Sequence, residues 1–178
     1  MLFRSPRTAS RTIVWREADT SINGATRNEL SPATTLIIWT VPPGASEWQT
    51  ALDAVEPRRL ILFGQMPPEF TVTSFLQRLA GLAKFTIKQK GGVVTLSALA
   101  AALAQRATTV RYGLLWLQQA GKLGVTLGKN ESVEFTETPI ANPTQDLASL
   151  EKLIQSALAE TLAYRKEWLS KSGAGFSL

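Results

Sequence analysis

Eight cations, Arg78, Lys84, Lys88, Lys90, Arg106, Arg111, Lys122 and Lys129, lie between Glu69 and Glu131, and no carboxylate lies among them. Cations without counter-charges suit phosphate oxygens, because each phosphate they neutralise releases condensed counterions. Other chemistry is sparsely provided. The chain has no cysteine, which excludes disulfides and thiolate chemistry. It has no histidine, so the commonest general base and zinc ligand are missing. The carboxylates are scattered: Glu17 with Asp19, and Asp53 with Glu56, are the nearest to pairs. A metal-dependent phosphodiesterase needs several converging acids. The expectation is therefore a non-enzyme, with no catalytic residue, no metal ligand and no cofactor.

The net charge of +5 comes from the middle of the chain alone. Residues 1–69 carry seven basic and seven acidic side chains, and residues 131–178 carry four and seven. Hydrophobic residues make up 44% of the 178, enough for one sizeable core or two small ones. The longest apolar runs, such as Leu36–Trp39 and Leu60–Phe63, are strand-sized, so no membrane partner is expected. A cytoplasmic location is expected. Met1–Arg16 holds four arginines and no acid. Residues 1–11 read as a flexible arm rather than a signal segment, because they lack an apolar core.

The elements that position these side chains can be read in turn. Residues 12–68 suggest a small parallel α/β layer. Thr12–Trp15 is a short strand, and Thr34–Thr40 is a β-branched run suited to a strand buried on both faces. Ser46 is placed to cap a helix running to Val55, and Arg59–Phe63 reads as a second buried strand closed by Gly64. Strand, helix, strand with short connections is a parallel crossover unit. The strand ends at Val41–Ala45 and Gly64–Pro68 are where such sheets bind ligands, but neither carries a glycine-rich phosphate cradle.

Residues 69–138 change to helical period. Thr73 can cap a helix with Phe75, Leu76, Leu79, Leu82, Ala83 and Phe85 on one stripe. Ser97–Gln105 is a second helix, and Thr108 can cap a third from Thr109 to Ala120. Val125–Leu127 and Val133–Phe135 alternate around a tip at Gly128–Glu131. Helix, helix, turn, helix and two-stranded wing is the order of a winged helix-turn-helix. In a DNA-binding version Thr108, Thr109, Arg111, Tyr112 and Gln118 face the groove, while Lys122 and Lys129 reach phosphates from the helix end and the wing. Only Arg111 is placed for a bidentate base contact, so non-specific backbone binding is expected. The competing reading is protein contact through the apolar third helix, Gly113 to Leu117.

Residues 139–178 form a linker and an amphipathic C-terminal helix. Thr144 or Asp146 caps it, and its stripe is Leu147, Leu150, Ile154, Ala157 or Leu158, Thr161 and Trp168. Of the five tryptophans, Trp39, Trp48 and Trp116 read as core, while Trp15 and Trp168 stay open for stacking on bases. The fold class is α/β: a small parallel α/β layer followed by a winged helix-turn-helix and a C-terminal helix.

With these elements in order, the chain resembles the C-terminal accessory domain of bacterial RecJ-type single-stranded-DNA-specific exonucleases. The resembling segments are TLIIWTVPP (34–42), LDAVEPRRLILFG (52–64), FLQRLAGLAKF (75–85), residues 95–123 and residues 146–169. They span roughly residues 12–170. The resemblance implies an appendage in DNA repair and recombination. DNA, an exonuclease catalytic core and a further repair protein are the implied partners. It also implies that the divalent metal and its Asp-His-His ligands belong to the upstream core, and this histidine-free chain has no counterpart of that motif. The alternative is a stand-alone winged-helix module for protein contact or non-specific DNA binding.

Overall fold

The computed structural model describes residues 11–18, 21–139 and 146–172. Three parallel strands open the fold: β1 (Thr12–Trp15), β2 (Thr35–Thr40) and β3 (Arg59–Gln65), in the order β1-β2-β3. Helix α1 (Ala45–Val55) connects β2 to β3. Leu36, Ile38, Trp15, Val41 and Val55 are buried on one side of this sheet. Trp15 stacks on Trp48 at 6.4 Å, and Trp48 meets Trp168 edge-on at 5.7 Å. Trp15 and Trp168, the two tryptophans left open for bases, are thus core residues.

Then come α2 (Val72–Lys90), β4 (Val93–Thr95), α3 (Leu96–Leu103), α4 (Ala107–Gln119), β5 (Gly124–Leu127) and β6 (Ser132–Thr136). The last three strands form an antiparallel sheet in the order β4-β6-β5. Phe75, Leu79, Leu96, Leu103, Leu114 and Val133 fill a second core. Gly113 lets α2 and α4 approach: a Cβ there would sit 2.6 Å from Leu79 Cδ2 and 2.7 Å from Phe75 Cε1. Helix α5 (Leu147–Ser172) ties the two cores together. Ile154 and Leu158 enter the helical core, and Trp168 enters the sheet core.

A buried polar seam joins the sheet layer to the helices. Arg27 donates to both Glu17 carboxylate oxygens, at 2.6 and 2.5 Å, and to the Gln105 carbonyl at 3.0 Å. Glu17 also accepts from the Trp15 indole at 3.1 Å. From α5, the buried Arg165 donates to the carbonyls of Val41, at 3.3 Å, and Ala104. Burial pushes this guanidinium down to about 10, and the Glu17 carboxylate opposes the shift.

Several local expectations are corrected. Helix α1 starts one residue before Ser46, and Gly44 takes the N-cap with its backbone alone. Thr71, not Thr73, caps α2, in a reciprocal box with Ser74. Thr95 caps α3, which spans Leu96–Leu103 rather than Ser97–Gln105. Arg106, not Thr108, is the N-cap of α4. Asp146 caps α5, accepting from the Ala148 amide at 3.0 Å, while Thr144 lies outside the described residues.

Strand β3 is not buried on both faces. It is an edge strand whose exposure alternates, with Ile61 and Phe63 outward. It also runs through Gly64, which adopts φ +66° where the β2–β3 register shifts. Trp39 is only half-buried and packs on Phe63 at 5.1 Å, on the open face of the sheet.

Candidate nucleic-acid interface

The predicted phosphate ligands divide by surroundings. Arg78, Lys84, Lys88, Lys90, Arg111, Lys122, Lys129 and Thr108 are exposed. Thr109 is fully buried, so it cannot reach a nucleic acid. Spaced four residues apart, Thr109, Gly113 and Leu117 share the inward stripe of α4. Arg106 is half-buried and engaged: it donates to Glu160 Oε2 at 2.8 Å and to the Ala157 carbonyl at 3.2 Å. It fastens the α3–α4 turn to α5.

Two of the exposed lysines, Lys84 from α2 and Lys122 just after α4, line one groove of about 390 Å³. Leu76, Ala80, Leu117 and Leu123 contribute apolar walls, and the half-buried Trp116 indole lines it as well. Lys88 follows Lys84 by four residues on α2 and so continues the same helical row. Arg78 precedes Lys84 by six and projects from another face. Lys129 sits in the turn between β5 and β6, where Asn130 and Glu131 adopt positive φ. The exposed Glu131 and Glu134 follow it in the chain.

The acid-free stretch of sequence is not acid-free in space. Helix α5 runs beside α4 and brings carboxylates to it. Glu151 lines the groove and accepts from the Trp116 indole N–H at 3.1 Å, which fixes the ring. Hydrogen bonding from Arg106 holds the Glu160 carboxyl below its ordinary range, with the Arg106 charge and Ser156 adding to it. Sequence reasoning assigned Trp116 to the core and missed its place in the groove. Its position beyond the Val110–Leu114–Leu117 stripe was the available signal.

The strand-end region carries a separate cleft of about 320 Å³, lined by Met66, Pro68, Phe70, Gln105, Leu162 and Arg165. Among the described residues, no group of three or more acidic, histidine or cysteine side chains is placed to hold a metal ion. Glu17 is engaged with Arg27, Asp53 accepts from Gln49 at 2.8 Å, and Asp19 lies outside the described residues. No described helix is long and apolar enough to cross a membrane. Comparison of the chain with family models, characterised proteins and solved structures returned no match.

Proposed function

We propose that residues 72–136 are a winged helix-turn-helix, and that the chain is a non-catalytic C-terminal domain of a RecJ-like single-stranded-DNA-specific exonuclease. In this reading it holds DNA, or a repair partner, beside the nuclease core. Metal and hydrolysis belong to that core. The element order α2-β4-α3-α4-β5-wing-β6, with sheet order β4-β6-β5, supports the winged-helix assignment.

The observation that carries DNA binding is the groove lined by Lys84, Lys122 and the Trp116 indole. Ammonium groups meet phosphates there, and an aromatic face accepts a base without regard to sequence. Arg111, Lys88 and Lys129 extend the cationic surface, while Arg106 and Thr109 take no part. Fluorescence anisotropy of a labelled single strand tests the reading. Lys84→Glu with Lys122→Glu abolishes binding if it is correct, and undiminished binding by the double variant overturns it.

The apolar walls of the same groove favour a second reading, in which the module grips a partner protein. Under that reading the double variant loses the partner, and the wild-type chain has no affinity for DNA.

A further inference from the structure

Strand β3 is the free edge of the parallel sheet. The other edge is covered, because the Ala25 amide donates to the Val14 carbonyl at 2.7 Å and the Arg16 amide donates to the Ala25 carbonyl at 2.9 Å. No described residue does the same for β3. The Arg59 amide points inward, to the Thr34 carbonyl at 3.1 Å. By strand alternation the main-chain groups of Ile61 and Phe63 also face β2, and those of Leu60 and Leu62 point out of the sheet.

The side chains alternate as well. Leu60 and Leu62 pack into the sheet core, while Ile61 and Phe63 lie on the open face, 39% and 56% exposed. Half-buried Val14, Ile37 and Trp39 share that face. Edge protection is confined to its ends, Arg59 at the start and the Gly64 irregularity near the close, and no charge and no proline occurs from Leu60 to Phe63.

We propose that β3 pairs antiparallel with β3 of a second copy of this chain, about a twofold axis through Ile61, joining the two parallel sheets. The outward main-chain groups fix the register. Leu60 forms a hydrogen-bonded pair with Leu62 of the partner subunit, and Leu62 with Leu60 of the partner subunit. Ile61 then lies opposite Ile61 of the partner subunit in a non-hydrogen-bonded pair, where side chains approach most closely. Arg59 lies opposite Phe63 of the partner subunit, so each guanidinium meets an aromatic ring. In-register parallel pairing would instead set Arg59 beside Arg59 of the partner subunit, which like charge disfavours. A one-residue slip would turn the outward groups away from each other. Like charge disfavours parallel pairing, and alternation leaves only even antiparallel registers; of these, the axis through Ile61 sets each Arg59 opposite a Phe63 of the partner subunit, which points to a second copy in this register.

Sedimentation velocity over a concentration series and cysteine cross-linking test the proposal. The chain has no native cysteine, so each variant carries a single thiol. The register places the two Cα atoms at position 61 about 4.5 Å apart, within disulfide reach. Positions 63 are offset by four residues, about 13 Å along the strand, and out of reach. The expected result is a mass that rises to the dimer with concentration, and an Ile61→Lys variant that stays monomeric with an unchanged circular dichroism spectrum. Mild oxidation links Ile61→Cys and leaves Phe63→Cys unlinked, which decides the matter if Ile61→Lys fails to fold. A monomer up to the limit of solubility overturns the proposal, as does linking of Phe63→Cys as readily as Ile61→Cys.

Discussion

Truncating Arg165 to alanine tests whether the polar seam holds the sheet layer to the helices. The side chain is 3% exposed and its guanidinium bridges the carbonyls of Val41 and Ala104, which belong to different layers. Two buried carbonyls left without donors cost about 1–3 kcal/mol each. Losing the buried stem adds about 0.8 kcal/mol per methylene. Opposing these, the wild-type guanidinium bears a burial cost. Burial lowers its pKa to about 10, a cost of about 3 kcal/mol that truncation relieves. The balance for Arg165→Ala is a loss of about 3 kcal/mol. Arg165→Met keeps the stem and loses about 1 kcal/mol. Urea unfolding followed by circular dichroism reads both as shifts in midpoint at constant slope. If Arg165→Ala is neutral, or Arg165→Met costs as much, the seam does not hold the layers in the way argued.

Other outcomes follow from the same geometry. Gly113→Ala forces a Cβ within 2.6 Å of Leu79 and is expected to destabilise by about 1–3 kcal/mol in thermal unfolding; an unchanged melting temperature would show that α2 can shift freely. Glu160 has its carboxyl pKa lowered in the fold, so its contribution is present above the ordinary carboxylate range and is lost as pH falls through the lowered value. The stability gap between wild type and Glu160→Gln should therefore shrink on acidification, and a gap independent of pH would contradict the Arg106–Glu160 pairing. Trp116→Ala should weaken single-strand binding by about 1–3 kcal/mol without altering its salt dependence, while Trp116→Phe keeps most of the affinity. Equal loss in both variants would remove stacking from the account.

The strands, the five helices and their order were legible because their periods and stop signals are local. The β-branched run Thr34–Thr40 is an example. What stayed hidden depended on neighbours distant in sequence. All four residues of Arg59–Phe63 after the first are apolar, so nothing local distinguishes a central strand from an edge. The sheet order alone makes β3 an edge. The acid-free stretch misled for the same reason, since α5 returns Glu151 and Glu160 to α4 from outside it. Thr109 failed more locally. The i, i+4 series Thr109, Gly113, Leu117 places Thr109 on the buried stripe and already carried that signal.

The central claim is that Lys84 and Lys122 meet phosphates in the groove between α2 and α4. Its most direct measurement is the dependence of single-strand affinity on salt concentration, for wild type, Lys84→Ala, Lys122→Ala and Arg106→Ala. Each lysine removed should lower the log–log slope by about 0.7, and Arg106→Ala should leave it unchanged because that side chain is committed to Glu160. A slope indifferent to both lysines, or no binding even at low salt, would contradict the account.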